Sequence, residues 1–226
     1  PGIESVIFIC NNNHLQNSYL GMLQEIKKID QNAKVLGIEQ HKYGPIYAVL
    51  QSINSLNLES PTIVNYCDFN CIWNYKEFLK YVKETDCDGS VVTYTGFHPH
   101  MLGNTNYAYV KLKDSKIIDI QEKKPFTNNR MQEFASSGTY HFKNKRILIN
   151  ALQYVFKKKL SINNEYYVSL AYKYLIDNSY STKIYPLQHF FQWGTPEDVS
   201  DYIYFSEMFK SINKQKKYKN IYKHKL

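Results

Sequence analysis

Four short stretches carry residues whose types and spacing can do chemistry. In Asn65-Tyr66-Cys67-Asp68-Phe69-Asn70 a single carboxylate follows an apolar run. If that run is a buried strand, Asp68 stands just outside its carboxyl end, where open α/β sheets bind ligands. A carboxylate there can hold Mg2+ against substrate phosphates, because Mg2+ takes one or two carboxylates and fills its shell with phosphate oxygens and water. The same residue can equally cap a helix that follows. In Gln121-Glu122-Lys123-Lys124-Pro125 a glutamate can accept hydrogen bonds from sugar hydroxyls, and a lysine gives a point charge to a phosphate. The plainer reading there is an exposed strand end with solvated charges. Ser136-Ser137-Gly138-Thr139-Tyr140 puts a glycine at the entry to a strand, which suggests close approach of the backbone to a ligand or to a neighbouring segment. Gln192-Trp193-Gly194-Thr195-Pro196-Glu197-Asp198 reads as a turn into a helix, with Thr195 as N-cap and Pro196 first inside.

His98-Pro99-His100 invites a metal reading, but no Asp, Glu or Cys stands at matching spacing. A surface loop near a substrate is the better expectation for His98. The motifs GxSxG, HExxH and GxxxxGK[ST] do not occur, so their chemistries have no support in the sequence.

These stretches need elements to position them. Residues 5–10 (SVIFIC), 34–38 and 61–66 (PTIVNY) are nearly continuous apolar runs and read as strands buried on both faces. Residues 15–29 and 46–53 between them have helical spacing, and 75–84 reads as a further helix before a strand at 89–95. Strand, helix, strand at this spacing argues for crossover units and a largely parallel sheet. Beyond residue 96 the pattern changes. Residues 107–112 and 116–122 form a hairpin with Asp114-Ser115 at its turn, and 137–142 is another strand. Helices are expected at 145–156 and at 166–176, the latter capped by Asn163-Asn164. A short strand at 182–186 precedes the helix that begins at Pro196.

Composition narrows the classes. The chain has 226 residues, 43% of them hydrophobic, enough for a packed core. No apolar run is long enough to span a bilayer, and the first residues carry neither a basic n-region nor an apolar h-region. Cys10, Cys67, Cys71 and Cys87 form no CxxC pair, which fits a reduced, cytoplasmic protein. The formal charge of +8 gathers in Lys157-Lys158-Lys159 and in a tail from about residue 210. Such runs read as solvated helix ends and not as a nucleic-acid site. Without repeats or linker-like stretches, residues 1–226 read as one domain with a basic C-terminal helix or tail.

Taken in order, these pieces resemble the sugar-phosphate nucleotidyltransferases, which make nucleotide sugars, and in particular the branch found in capsule and surface-polysaccharide pathways. The matching runs are YGPIYAVL (43–50), PTIVNYCDFN (61–70), DIQEKKPF (119–126), SSGTYHF (136–142), NNEYYV (163–168) and WGTPEDV (193–199). The resemblance implies an α/β fold: a mixed, mostly parallel sheet flanked by helices, Rossmann-like in its nucleotide-sugar transferase form. It implies that a sugar 1-phosphate attacks the α-phosphorus of a nucleoside triphosphate and that pyrophosphate leaves. Asp68 then corresponds to the Mg2+-holding aspartate and Gly44 to the segment passing the nucleotide base. Glu122 and Lys123 match the pair at the sugar ring and its phosphate, Gly138 the glycine approaching the sugar, and Glu165 a glutamate binding sugar hydroxyls.

Two departures qualify the likeness. The family opens with a strand and a Gly-rich loop that cradles the triphosphate, whereas this sequence begins at what resembles the second strand. About one βα unit, ~30 residues or more, is therefore expected to be missing, as in an N-terminally truncated piece of a longer enzyme. Second, where members using a second metal have an aspartate, this chain has Gln192, a neutral and weaker ligand, so one Mg2+, or coordination through water, is expected in place of two. Two alternatives stay open: a nucleotide-sugar-dependent glycosyltransferase, and a non-catalytic domain that binds a sugar phosphate. The partners expected are a nucleoside triphosphate and a sugar phosphate, with a homo-oligomer compatible, and neither nucleic acid nor membrane.

Overall fold

The computed structural model describes residues 5–56, 59–103 and 105–223, with side chains described through residue 214. Its elements run β1 (Ile7–Asn11), α1 (Asn12–Gln16), α2 (Met22–Ile29), β2 (Lys34–Ile38), α3 (Pro45–Ser52), β3 (Thr62–Asn65), β4 (Phe69–Ile72), α4 (Tyr75–Glu84) and β5 (Gly89–Tyr94). They continue with β6 (Ala108–Lys113), β7 (Lys116–Glu122), β8 (Phe134–Phe142), α5 (Lys145–Lys157), α6 (Tyr172–Asp177), β9 (Thr182–Pro186), β10 (His189–Gln192) and α7 (Pro196–Lys223).

The central sheet has six strands, built around the long β8. On one side β8 pairs antiparallel with β5, and β5 pairs parallel with β9. On the other side its first residues meet β6, and its last four meet β3. β6 pairs in turn with β7 through the expected hairpin. Asp114 and Ser115 at that turn both have positive φ, 50° and 60°, as a two-residue turn matching strand twist requires. Four strands (β3, β5, β6 and β9) therefore run one way and β7 and β8 the other. The mostly parallel expectation holds for strand direction. Most neighbours are nevertheless antiparallel, because β8 inserts between strands that point the same way.

The core lies between this sheet and α5 with α6. Helix α5 buries Ile147, Leu148, Ala151, Leu152 and Val155, a stripe at helical spacing. It starts at Asn144, whose side chain accepts from Ile147 N at 2.9 Å. β5 is buried on both faces throughout, and that burial takes in Ser90 and Thr93 along with its apolar residues.

β1 departs from that expectation. It pairs only with β2, in a separate two-stranded parallel sheet, and all five of its residues are half-exposed. A pair of strands has too little neighbouring surface to cover both faces. The helix expected over 15–29 is also broken. Tyr19 N donates to the Asn17 side chain at 3.0 Å, a local turn that competes with helix, and α2 restarts after Gly21 at φ 55°. Among the described residues, no helix is long and apolar enough to cross a membrane.

Candidate active site

Asp68 sits between β3 and β4, and its side chain is exposed. It caps no helix. The next element is β4, and α4 is capped by Asn74, whose side chain accepts from Glu77 N at 3.3 Å. Neither β4 nor its partner β10 is among the elements expected from the sequence. The two form an antiparallel ribbon with Phe69 opposite Gln192, and Trp193 N donates to Asp68 O at 3.0 Å. This ribbon brings Asp68 and Gln192 together. A Cβ added to Gly194 would meet Asp68 Oδ2 at 3.0 Å and would run into the Gln192 amide, so a glycine leaves the room both side chains need. One carboxylate beside one amide suits a hard cation that draws most of its oxygens from phosphates and water. Among the described residues no cluster of three or more His, Cys, Asp or Glu could hold a metal by itself.

Tyr107 flanks this corner. Its buried hydroxyl has no hydrogen-bond partner. Burial first, then the Asp198 and Asp68 carboxylates, push its phenol well above the ordinary range. Asp198 closes a capping box with Thr195: its carboxylate accepts from Thr195 N at 3.0 Å while Asp198 N donates to Thr195 Oγ1 at 3.1 Å. His98 and His100 pack as ring neighbours with Tyr94, Tyr107 and Phe190. His100 Nε2 and Tyr94 OH are 2.9 Å apart, and burial, then His98, lowers His100 to about 4, which leaves it neutral. Burial also lowers His98.

The second half of the site is assembled at the end of β7. Glu122, expected at an exposed strand end, is only 8% exposed. Ser169 donates to its carboxylate. Burial raises Glu122 to about 7, with Ser169 and then Lys123 pulling the other way. Lys123 Nζ donates to Tyr167 OH at 2.6 Å, and Tyr167 OH donates to Glu165. Two tyrosines join the halves. Lys123 N donates to Tyr107 O at 2.9 Å. Tyr66, two residues before Asp68, accepts at its hydroxyl from Val168 N at 3.2 Å and feels the Glu122 charge.

Two glycines fix close approaches here. Gly138, at φ 91°, lies where β8 changes partner from β6 to β3. Its O accepts from Tyr66 N at 3.1 Å and its N donates to Ser136 Oγ at 3.1 Å. A Cβ would press on Tyr66 and Phe69 at 3.2–3.3 Å. The neighbouring segment that Gly138 approaches is thus the one carrying Tyr66 and Phe69. Gly44, at φ 81°, begins α3, and a Cβ there would meet Tyr166 N at 2.6 Å and Tyr166 O at 2.8 Å. The contact holds the 43–46 turn against Glu165, helped by Tyr166 N donating to Tyr43 O at 2.9 Å and Ile46 N to Tyr166 O at 3.1 Å. Gly44→Ala is expected to destabilise the fold by about 2 kcal/mol or more, through left-handed strain plus backbone overlap. Urea unfolding of the two proteins checks this.

The turn at Asn163-Asn164 does not cap a helix. Both residues have positive φ, 51° and 65°, and Ile162 bridges to Glu165 across them. An extended stretch follows, then a buried 3-10 turn at Val168–Ala171, and only then α6. Tyr66, Tyr107, Tyr167 and Ser169 touch the candidate residues, and none of the four is singled out by the sequence. For Tyr167 a signal exists, since Glu165 and Tyr167 are two apart and face the same way in extended chain. The helix expected over 166–176 conceals it.

The sequence matches the nucleotidyl transferase family over residues 1–180. No curated protein sequence matches it. Among solved structures, the fold is similar to a nucleoside-diphosphate-sugar pyrophosphorylase from Vibrio cholerae RC9 (TM-score 0.64, 16% identity, 86% of this chain and 78% of that one). It is also similar to UDP-glucose pyrophosphorylase complexed with UDP-glucose (TM-score 0.63, 14% identity, 90% and 81%). HddC from Yersinia pseudotuberculosis, complexed with GMP-PN, superposes at TM-score 0.55 with 19% identity over 88% and 77% of the two chains. At such identities these likenesses speak to the fold.

Proposed function

Because the chain belongs to the nucleotidyl transferase family, we propose that it serves the transfer of a nucleotidyl group from a nucleoside triphosphate to a sugar 1-phosphate. A phosphate oxygen of the sugar 1-phosphate forms the new bond to the α-phosphorus, the bond from that phosphorus to the β-phosphate oxygen breaks, and pyrophosphate leaves. The observation that carries this reading is the convergence, around Tyr66 and Tyr107, of a strand-end carboxylate with a Glu–Lys–Glu set drawn from distant parts of the chain.

Asp68, with the Gln192 amide beside it, would hold Mg2+. When bound, that ion neutralises charge on the triphosphate. Lys123 offers an ammonium to the sugar phosphate, and Glu122 and Glu165 accept from sugar hydroxyls. Gly44 lets the 43–46 turn, the segment that would pass the base, pack against Tyr166 and Glu165, Gly138 sets the Tyr66 wall, and His98 lines the rim. Catalysis in such a site is positioning and charge neutralisation, with no covalent enzyme intermediate required. The motif set favours a role in capsule or surface-polysaccharide biosynthesis, and the unpaired cysteine spacing favours a cytoplasmic one.

The test is to incubate the full gene product with Mg2+, each of the four common nucleoside triphosphates and a panel of sugar 1-phosphates, following pyrophosphate. Release that needs both substrates is the expected result. Silence across every pairing would sink the proposal, and sugar transfer to an acceptor without pyrophosphate would replace it with glycosyl transfer.

A further inference from the structure

Lys123 is held from three sides. Its backbone adopts φ 56°, unusual for a residue with a side chain, and both main-chain groups are engaged. Lys123 N donates to Tyr107 O at 2.9 Å, and Lys123 O accepts from Thr105 Oγ1 at 3.0 Å. The ammonium lies 4.6 Å from the Tyr167 ring centre and donates to the Tyr167 hydroxyl at 2.6 Å. Tyr167 itself precedes the fully buried turn Val168–Ala171, which anchors its backbone.

The hydroxyl between the two charges has one proton and spare lone pairs. It spends the proton on Glu165 and a lone pair on Lys123. Burial, then Glu165, pushes the phenol well up, so the proton stays in place. Among the described residues no ion pair joins Lys123 directly to Glu165. A direct pair would satisfy each charge with the other and leave less of both for a ligand. With a neutral hydroxyl interposed, the ammonium keeps two N–H donors and the carboxylate keeps an oxygen.

We infer that Tyr167 is a positioning residue, a neutral spacer that keeps Lys123 and Glu165 apart so that both can engage a phosphorylated sugar. The inference rests on the nucleotidyl-transfer reading for its ligand class, but the spacer itself can be tested without turnover. The probe is inorganic phosphate titrated calorimetrically in the absence of Mg2+. Tyr167→Phe keeps the ring and removes the hydroxyl, letting Lys123 and Glu165 close on each other. Phosphate affinity is then expected to fall about tenfold, the scale of one charge-assisted hydrogen bond. Adding Glu165→Gln to that variant removes the competing charge and is expected to restore phosphate binding to near the original level. A packing role for Tyr167 predicts no such rescue.

The spacer is overturned if the parent protein binds no phosphate, if Tyr167→Phe binds it undiminished, or if the double variant fails to recover. Phosphate binding with the rescue pattern, but no pyrophosphate from any substrate pair, would leave the spacer standing and remove the nucleotidyl-transfer reading.

Discussion

Asp68→Asn is expected to lower pyrophosphate release by roughly 10³-fold, the rate equivalent of the several kcal/mol that metal-borne charge stabilisation supplies. Asparagine keeps the size of the side chain and the main-chain bond from Trp193, so the β4–β10 ribbon should survive. The aspartate is exposed, so folding stability should change little. What disappears is the negative charge. Gln192 beside it is neutral, and no other acidic cluster among the described residues could take over the ion. Raising Mg2+ should therefore recover only part of the rate. The measurement is pyrophosphate release against Mg2+ concentration for both proteins, with thermal melting as the control for folding. A variant within threefold of the parent, at any Mg2+, would remove Asp68 from the proposed metal site.

The placement of Asp68 is only half legible in the sequence. An acidic residue after an apolar run is compatible with a ligand site or with a cap, and spacing alone does not choose. The capping reading is removed by β4 and β10, each of four residues. Their alternation is too short to stand out from loop, and their pairing joins segments more than a hundred residues apart. Asn74 then takes the capping duty, which frees Asp68 from the competing role. Gln192 is singled out by resemblance. Its adjacency to Asp68 depends on the same ribbon, and so is invisible in the sequence.

Elements with one clear local signal are legible. The β6–β7 hairpin, β2, β9 and α4 fall where periodicity and turn residues put them. Misreadings occur where a local side-chain bond or a tertiary contact outweighs periodicity. Asn17 turns the chain inside the helix expected over 15–29. After the Asn163-Asn164 turn, Tyr166 bonds to Tyr43 and Ile46 and keeps the chain extended where the apolar spacing suggests helix. That extended piece carries Glu165 and Tyr167, so the error about local structure is also the omission in the site. Glu122 is the converse case. Its sequence context suggests a solvated strand end, yet it is covered by Ser169, 47 positions away.

The burial of Glu122 has a large consequence for stability. Its carboxyl is raised from the ordinary 4.5 to about 7, chiefly by burial. Below pH 4.5 it is protonated in both folded and unfolded chains and costs nothing on ionisation. Between pH 4.5 and 7 the unfolded chain releases the proton while the folded one retains it, so stability falls as pH rises. Above pH 7 the whole cost is present, about 3 kcal/mol, since each pH unit between the two titrations is worth roughly 1.4 kcal/mol. Tyr66, Tyr140, Tyr167 and Lys123 face this group, and of these only Lys123 brings an opposing charge. Glu122→Gln has nearly the same shape and no proton to lose. Relative to the parent it should therefore gain about 3 kcal/mol between pH 4.5 and pH 8, where a surface Glu→Gln change would show almost no trend. Urea unfolding of both proteins across that range measures it. A flat difference would mean that Glu122 ionises as it would in water. A rising one would mark a carboxylate kept in the core at a standing cost to stability, as expected of a group retained for ligand binding and not for packing.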